Sequence, residues 1–559
     1  MKKSVKLGLI IGGTSLVLGL AALFWYLGMT NNNELIAKIP KDAAMVFKAD
    51  VKSLADKAEF KQWKDLAMFN DMGNDGEVFK EVLDHPKKSG VNFMQNAYGF
   101  VGKGEEQYGG IVFGVKDAKD FEETVSKMDD DIEIQKTDGL YTAELDKGDV
   151  ALVWDKDVAL LYFRNDENVM DKAKQAFAQD EEMSMLENDT YMEYESLDAD
   201  LGVYMSMKNF QGLVDSMGNM SKDQLKSMDK VEGIGMTVLF DDQQLLVDAT
   251  YYPIEGATPE EISMMKEEGI TADLMKLISP TQPKGFYAAN MDLDKILGLY
   301  PQINEEMLKD GFSTDEFKNG LTGEMSFSLI NIINVQTIGE VADYENWDPY
   351  GMYNTEVPMR KDTLNELTPI YKINLGVKDR NVIDNIVAKL VAKMNEPEVE
   401  MYDFENSMDY TFDSYITPEV TIQEPNAKRY QYNGLEVLEM DDVKLFYKYE
   451  GNYLSISNNE SAFASQNFTW EDELEEMLTE KSGSGFLDLN YKNYPDVERE
   501  NKNTVEEVKE FLEMMDNMKF SSDGMTAHFE MNFTESPDHI LWRMMKTIDS
   551  KVSKNKSYN

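Results

Sequence analysis

The chain has 559 residues, no cysteine, 42% hydrophobic residues and a formal net charge of −49. A field of that sign repels nucleic acid and anionic lipid headgroups. The lack of cysteine excludes disulfide staples and lipid attachment through a thiol, so packed cores and sheets must supply the stability.

Residues 7–29 read LGLIIGGTSLVLGLAALFWYLGM and carry no charged side chain. A helix of that length is long enough to cross a bilayer core of about 30 Å. Lys2, Lys3 and Lys6 precede it, and the first acidic residue after it is Glu34. Basic residues stay on the cytoplasmic side, so the remainder is expected outside the cytoplasm. The apolar run ends in the aromatic pair Trp25-Tyr26, not in the small residues of a cleavage site, which favours an uncleaved anchor. Gly8, Gly12, Ser15 and Gly19 fall on one helical face, and Gly8-x-x-x-Gly12 is a close-packing motif of membrane helices. That face suits a membrane-protein partner. The alternative is that glycine is simply common in membrane spans.

After a polar spacer, Pro40 and Asp42 set a turn before a strand over 45–50, and a capped helix opens at 51. A strand over 110–117 leads into a helix over 118–128 with Phe121, Val125 and Met128 on one face. A meander follows over 140–145, 150–154 and 158–163. Then come a helix over 169–178, a strand over 201–207 and a hairpin over 235–240 and 245–252. A helix over about 259–277 links to what reads as the same order again. Its strand is 286–291 and its helix 293–299. Gly376-Val377-Lys378-Asp379 repeats Gly114-Val115-Lys116-Asp117 at an offset of 262 residues. Ile383, Ile386, Val387, Leu390 and Met394 follow at helical spacing. The meander recurs from 435 through 443–449 to 453–456. A helix near 474–478, a strand over 486–489 and a closing hairpin over 518–520 and 525–533 complete the second copy.

The expected fold is therefore α+β: an N-terminal transmembrane helix, then two tandem similar halves of mostly antiparallel sheet with helices packed on one face. The divisions are 1–34 for tip, anchor and spacer, 35–257 for the first half, 258–277 for the linker helix, 278–546 for the second half and 547–559 for the tail. The second half carries insertions at 335–368 and 400–424, both poor in periodicity. The first holds Tyr344, Trp347, Tyr350 and Tyr353; the other holds Tyr402, Phe404, Tyr410, Phe412 and Tyr415. Long loops inside compact domains are commonly functional, and aromatics argue against plain disorder. These residues form a candidate surface for a protein partner, with ordinary loop packing as the alternative.

Chemical motifs are scarce. The three histidines, His85, His528 and His539, show no metal-ligand spacing. No G-x-S-x-G elbow or Walker-type loop occurs in the extramembrane part, while a serine–histidine–acid triad is a matter of geometry and stays open. Asp129-Asp130-Asp131 reads as a weak calcium locus or, more simply, a solvated turn. The methionines read as core filling rather than copper ligands. No catalytic residue, cofactor or metal is assigned.

The opening Ile39-Pro40-Lys41-Asp42-Ala43, the strand Val46-Phe47 and the helix start Val51-Lys52-Ser53-Leu54 resemble an uncharacterised envelope-protein family of Bacteroidota, labelled domain of unknown function 4836. The resemblance covers most of 35–546. It implies an extracytoplasmic, membrane-attached location and transfers no catalytic residue. Lipid attachment through an N-terminal cysteine is common in that family, and this chain has none. A protein anchor in its place favours the inner membrane, with the bulk in the periplasm. The expected role is non-enzymatic, binding or scaffolding periplasmic or membrane protein partners. A lipid or peptide carrier and a glycan hydrolase are the alternatives; the first needs an apolar cavity and the second a polar cleft.

Overall fold

The computed structural model describes residues 32–59, 62, 88–103, 107–128, 132–145, 149–164, 168–215, 229–299, 307–309, 311–342, 359–395, 427–440, 443–493 and 513–556. The segment 7–29, with Gly8, Gly12, Ser15 and Gly19, lies outside these residues. Among those described, no helix is long and apolar enough to cross a membrane. The chain divides into two compact units, one of Met1–Ser263, Asp488–Tyr491 and Glu500–Asn559, the other of Met264–Leu487 and Lys492–Arg499.

The first unit opens with β1 (Ala43–Ala49), β2 (Ala97–Lys103), β3 (Gln107–Gly114), β4 (Ile134–Thr137), β5 (Leu140–Leu145), β6 (Val150–Trp154), β7 (Val158–Arg164), β8 (Leu201–Ser206), β9 (Val231–Asp241) and β10 (Gln244–Pro253). They pair antiparallel in the order β4-β5-β6-β7-β3-β2-β1-β8-β9-β10. Its helices include α1 (Val51–Lys57), α2 (Ala118–Ser126), α3 (Val169–Phe177) and α4 (Asp189–Glu195). They cover both faces of the sheet, not one as expected. Phe121 and Val125 of α2 pack with Ile111, Phe113, Tyr141 and Trp154. Phe177 of α3 and Tyr191 and Tyr194 of α4 pack with Tyr98, Val112 and Leu160 on the other side. The reason lies in the strands. Ile111-Val112-Phe113 and Ala151-Leu152-Val153-Trp154 are unbroken apolar runs, so both of their faces must be covered.

The second unit holds β11 (Gly285–Asn290), β12 (Leu321–Ala342), β13 (Met359–Val377), β14 (Ala427–Tyr432), β15 (Leu435–Met440), β16 (Val443–Glu450), β17 (Tyr453–Ser457) and β18 (Gly483–Asp488). Their order is β14-β15-β16-β17-β13-β12-β11-β18, again antiparallel throughout. Strand for strand, this is the order of β1 to β8 in the first unit. The single helix expected over 258–277 is instead two, α5 (Pro259–Ile262) and α6 (Ala272–Ile278). Between them Lys266 N–H bonds Asn290 O and Ile270 N–H bonds Leu478 O, which takes both amides out of helical pairing. Gly269 sits where a Cβ would stand 2.2 Å from Thr479 O. Two further helices, α7 (Arg380–Met394) and α8 (Asp472–Glu480), complete the layers. Ile383 of α7 packs with Val377, Leu438 and Leu454. Leu274 of α6 and Leu474 and Leu478 of α8 pack with Phe286 and Tyr453.

The closing hairpin, β19 (Met515–Ser522) and β20 (Thr526–Phe533), corrects the expectation of two tandem halves. It belongs to the first unit, where β20 pairs with β10 from Gln244↔Asn532 to Thr250↔Thr526. The pairing sets Leu245 opposite Met531 and Val247 opposite Phe529, apolar cross-strand pairs that close an otherwise open edge. The last helix, α9 (Ile540–Lys556), joins Ile540 to a core with Leu54 and Phe240.

Candidate functional site

The longest strands carry the candidate site. β11 covers β12 only over Glu324–Leu329, and β17 covers β13 only over Lys372–Gly376. Beyond those limits β12 and β13 continue as a pair from Asn331↔Ile370 to Ala342↔Met359. Among the described residues no third strand joins them there. At about 3.4 Å per residue this is a two-stranded ribbon of roughly 35–40 Å. The expected irregular insertion 335–368 is therefore corrected: 335–342 and 359–368 are strand. Ile332, Ile333, Val335, Thr337, Ile338 and Val341 are the β-branched residues that favour it. Simple alternation fails to reveal the ribbon because apolar and polar residues over 331–342 do not alternate with a period of two.

The expected surface residues Tyr344, Trp347, Tyr350 and Tyr353 fall in 343–358, between the two strands and outside the described residues. Tyr402, Phe404, Tyr410, Phe412 and Tyr415 lie outside them as well. The flanks of that second segment are described: Ala427 N–H donates to Asn395 Oδ1 at 2.9 Å, and Asn395 Nδ2 donates to Ala427 O at 3.2 Å. Asn395 and Ala427 are therefore held together by a reciprocal pair of hydrogen bonds.

The ribbon is rooted by a bulge. Leu329 pairs with Tyr371 and Asn331 with Ile370, so Ile330 is the extra residue. Ile330 and Ile370 are buried with Ala462, and Ile333 packs against them. The two edges differ at this root. On the β13 side, Tyr371 N–H donates to Asn458 Oδ1 at 3.1 Å and Asn458 Nδ2 donates to Pro369 O at 2.7 Å. Pro369 has no N–H to offer a further strand. On the β12 side, Lys284 N–H reaches Leu329 O at 2.8 Å, and Ile332 N–H turns to Asn331 Oδ1 at 2.9 Å. Residues 331–342 contain one charge, Glu340, and no proline. Residues 359–370 contain Arg360, Lys361, Asp362, Glu366 and Pro369. Charge and proline are the devices that blunt a strand edge, and here they guard one edge only.

Elsewhere, titratable groups gather without forming a reaction centre. In the first unit the buried Lys48 Nζ lies 3.4 Å from Glu195 and donates to the carbonyls of Glu195 and Leu197 at 2.9 and 3.2 Å, so it caps the end of α4. Tyr98 Oη donates to Glu195 Oε1 at 2.7 Å. Burial pushes the Glu195 carboxyl above its usual range, against the pull of Lys48 and Tyr98. Gly202 leaves room for this cluster, since a Cβ there would stand 2.0 Å from Tyr194 Oη. Asp200, also buried, pairs with Lys57 at 2.6 Å and accepts from Phe240 N–H at 2.6 Å.

His528 Nδ1 lies 2.6 Å from Asp248 Oδ1, and register sets Ser521 opposite His528. Ser521 is buried and makes no hydrogen bond to the ring, so the row is not a relay. His539 Nδ1 accepts from Leu541 N–H at 3.2 Å; burial, then Lys57, holds it below the usual histidine range. His85 and Asp129, Asp130 and Asp131 lie outside the described residues. Among the described residues no three His, Asp or Glu side chains gather as around a metal ion. An open groove of about 510 Å³ is lined by residues that include Lys136, Asp138, Leu140, Tyr141, Asp155 and Lys156, a lining that mixes charged and apolar groups.

A family model described as domain of unknown function (DUF4836) matches residues 36–364. No curated protein matches the chain. Crystal forms III, IV and I of TP0453 resemble it at 10%, 9% and 9% identity, with TM-scores of 0.27, 0.26 and 0.24. They cover 41%, 39% and 42% of this chain and 82%, 79% and 82% of their own. Likeness at that level assigns neither fold nor function.

Proposed function

The chain belongs to the domain of unknown function (DUF4836) family, and on that premise we propose that it is a non-enzymatic protein that binds protein partners at the cell envelope. The uncharged segment 7–29 holds it in the inner membrane with the bulk in the periplasm, as in an envelope family of Bacteroidota. One observation carries the partner-binding reading: a ribbon of twelve residue pairs that leaves the sheet with no third strand along it among the described residues. A two-stranded ribbon is marginal in water by itself, and an exposed strand edge is a template for another chain. Residues 343–358 lie between the two strands in sequence, and their Tyr344, Trp347, Tyr350 and Tyr353 are aromatic residues of the kind that interfaces favour.

A photo-crosslinking residue placed at Asn334 tests the reading in growing cells. We expect reproducible crosslinks to one protein species, and none from the same label at Lys428 on β14. Crosslinks indistinguishable between the two positions would overturn it. For the location, a reporter fused to the carboxyl end is expected to be active outside the cytoplasm, and activity confined to the cytosol would refute the anchor.

A further inference from the structure

Resting on the partner-binding reading, we infer that the ribbon takes its partner by strand addition along the β12 edge, and that the occupant is an extended segment of basic character from another protein. Three observations converge. First, the edges are unequal. On β13, Asn458 already occupies the positions at Tyr371 and Pro369, and Pro369 cannot donate. Arg360, Lys361, Asp362 and Glu366 further guard that strand. On β12, β11 ends at Gly285 opposite Leu329, and the edge runs on for 331–342 with a single charge. An incoming strand there would lie in line with β11, as its continuation.

Second, the bonds offered are backbone bonds. Alternate residues of a strand turn N–H and C=O away from the partner they already have. Ile332 N–H is already taken by Asn331 Oδ1, and beyond it the run offers the backbone edge that strand addition uses for affinity, with side chains at every second position giving selectivity. Along this edge Ile332 stands on one face and Ile333 and Val335 on the other, and all three suit β-branched partners.

Third, charge selects among occupants. A second copy would bring its own −49 to the contact, so self-pairing is opposed by the field of the whole chain. A basic segment is drawn by the same field, and Glu340 is the one charge on the edge.

The probes are twelve-residue strand peptides that alternate Val or Thr with Lys, the same peptides with Glu for Lys, and the Lys peptide N-methylated at alternate residues. Binding to the full chain in mild detergent is read by fluorescence anisotropy, and the protected amides by hydrogen exchange. We expect the Lys peptide to bind, the Glu peptide at least tenfold more weakly and the N-methylated peptide not at all. Protection should appear over 331–341, and Val335→Pro or Gln336→Pro should weaken binding at least tenfold. Glu366→Pro on β13 is the control for loss of the ribbon as such and should leave more of the binding intact.

Protection over 360–368 would overturn the choice of edge. Equal binding of Lys and Glu peptides would overturn the charge argument. Protection of 331–341 without peptide, in a species of twice the mass, would make a second copy the occupant and overturn the inference. Absence of all peptide binding, with crosslinks from Asn334 intact in cells, would defeat strand addition and leave partner binding standing. Loss of both would defeat the two together.

Discussion

Asp117 and Asp379 occupy the same place in two copies of one strand-to-helix joint. Each sits in extended backbone, at φ −143° and ψ 109° for Asp117 and at φ −136° and ψ 111° for Asp379. The Asp117 carboxylate accepts from Lys119 and Asp120 N–H, and that of Asp379 from Asn381 N–H. The incoming sides match too. Lys116 and Asp117 N–H both bond Gly90 O, and Lys378 and Asp379 N–H both bond Gly320 O. The repeated Gly-Val-Lys-Asp is thus a joint that ends a strand and caps a helix, on α2 and α7.

Removing either cap exposes the role. Asp117→Ala and Asp379→Ala should each cost about 1 kcal/mol, and the double variant close to the sum, because the joints share no partners. Hydrogen exchange in α2 and α7 reads each loss separately. Unchanged protection in the helix whose cap was removed would refute the assignment.

The lysine of the buried Lys48–Glu195 pair is not repeated at the equivalent position of the second unit. Lys48 faces Gly202 on β8 and Ala288 faces Ser484 on β18, so register places Ala288 where the lysine stands. The topology therefore does not require the charge. Lys48→Met should cost about 3–5 kcal/mol by leaving a carboxylate buried without its cation. Adding Glu195→Gln should recover part of that in thermal unfolding. A double variant no better than the single one would show that Lys48 acts through packing and the capped carbonyls alone.

Glu195 also sets a pH slope. With its pKa raised above 4.5, the folded state keeps the proton where the unfolded chain has released it. Its contribution to stability therefore falls as pH rises from the ordinary glutamate range through the raised value. Glu195→Gln should flatten that slope in unfolding experiments across the interval. An unchanged slope would assign it to other groups.

Glu316 has the opposite sign. Its carboxylate takes Lys389 Nζ at 2.6 Å and Ser313 N–H at 3.1 Å, and these hold it below 4.5. Stability from this group is present above the ordinary glutamate value and lost as pH falls through the depressed one. Lys389→Ala should move its titration back up in carbon-detected NMR, and no movement would exclude Lys389 as the cause.

Asn458 can be tested as the block on the β13 edge. Asn458→Ala removes both bonds, to Tyr371 N–H and Pro369 O, and should cost about 1 kcal/mol. Exchange of the Tyr371 amide should quicken. If it stays protected, something other than the asparagine covers that edge.

The local order of elements was legible along the chain. The meander at 140–145, 150–154 and 158–163 returns almost residue for residue as β5, β6 and β7. The repeated Gly-Val-Lys-Asp marked matching joints, because caps and turns depend on side chains within a few residues. Less legible were β2 and β4. Ala97–Lys103 contains two glycines and Ile134–Thr137 is short and polar, so neither shows a pattern of its own. The ribbon is illegible for a related reason, since residues 331–342 and 359–370 show no periodic apolar side.

Sequence alone determined the first meander, the Gly-Val-Lys-Asp joints before two helices and the acidity of the whole, because each of these follows from neighbouring residues or from summed charge. Tertiary structure decided three things that local pattern cannot encode. It put helices on both faces of each sheet, gave the last hairpin to the first unit and drew β12 and β13 out past their neighbours. Each is a choice of which distant strand pairs with which, and pairing energy is spread over backbone bonds that look alike in every sequence.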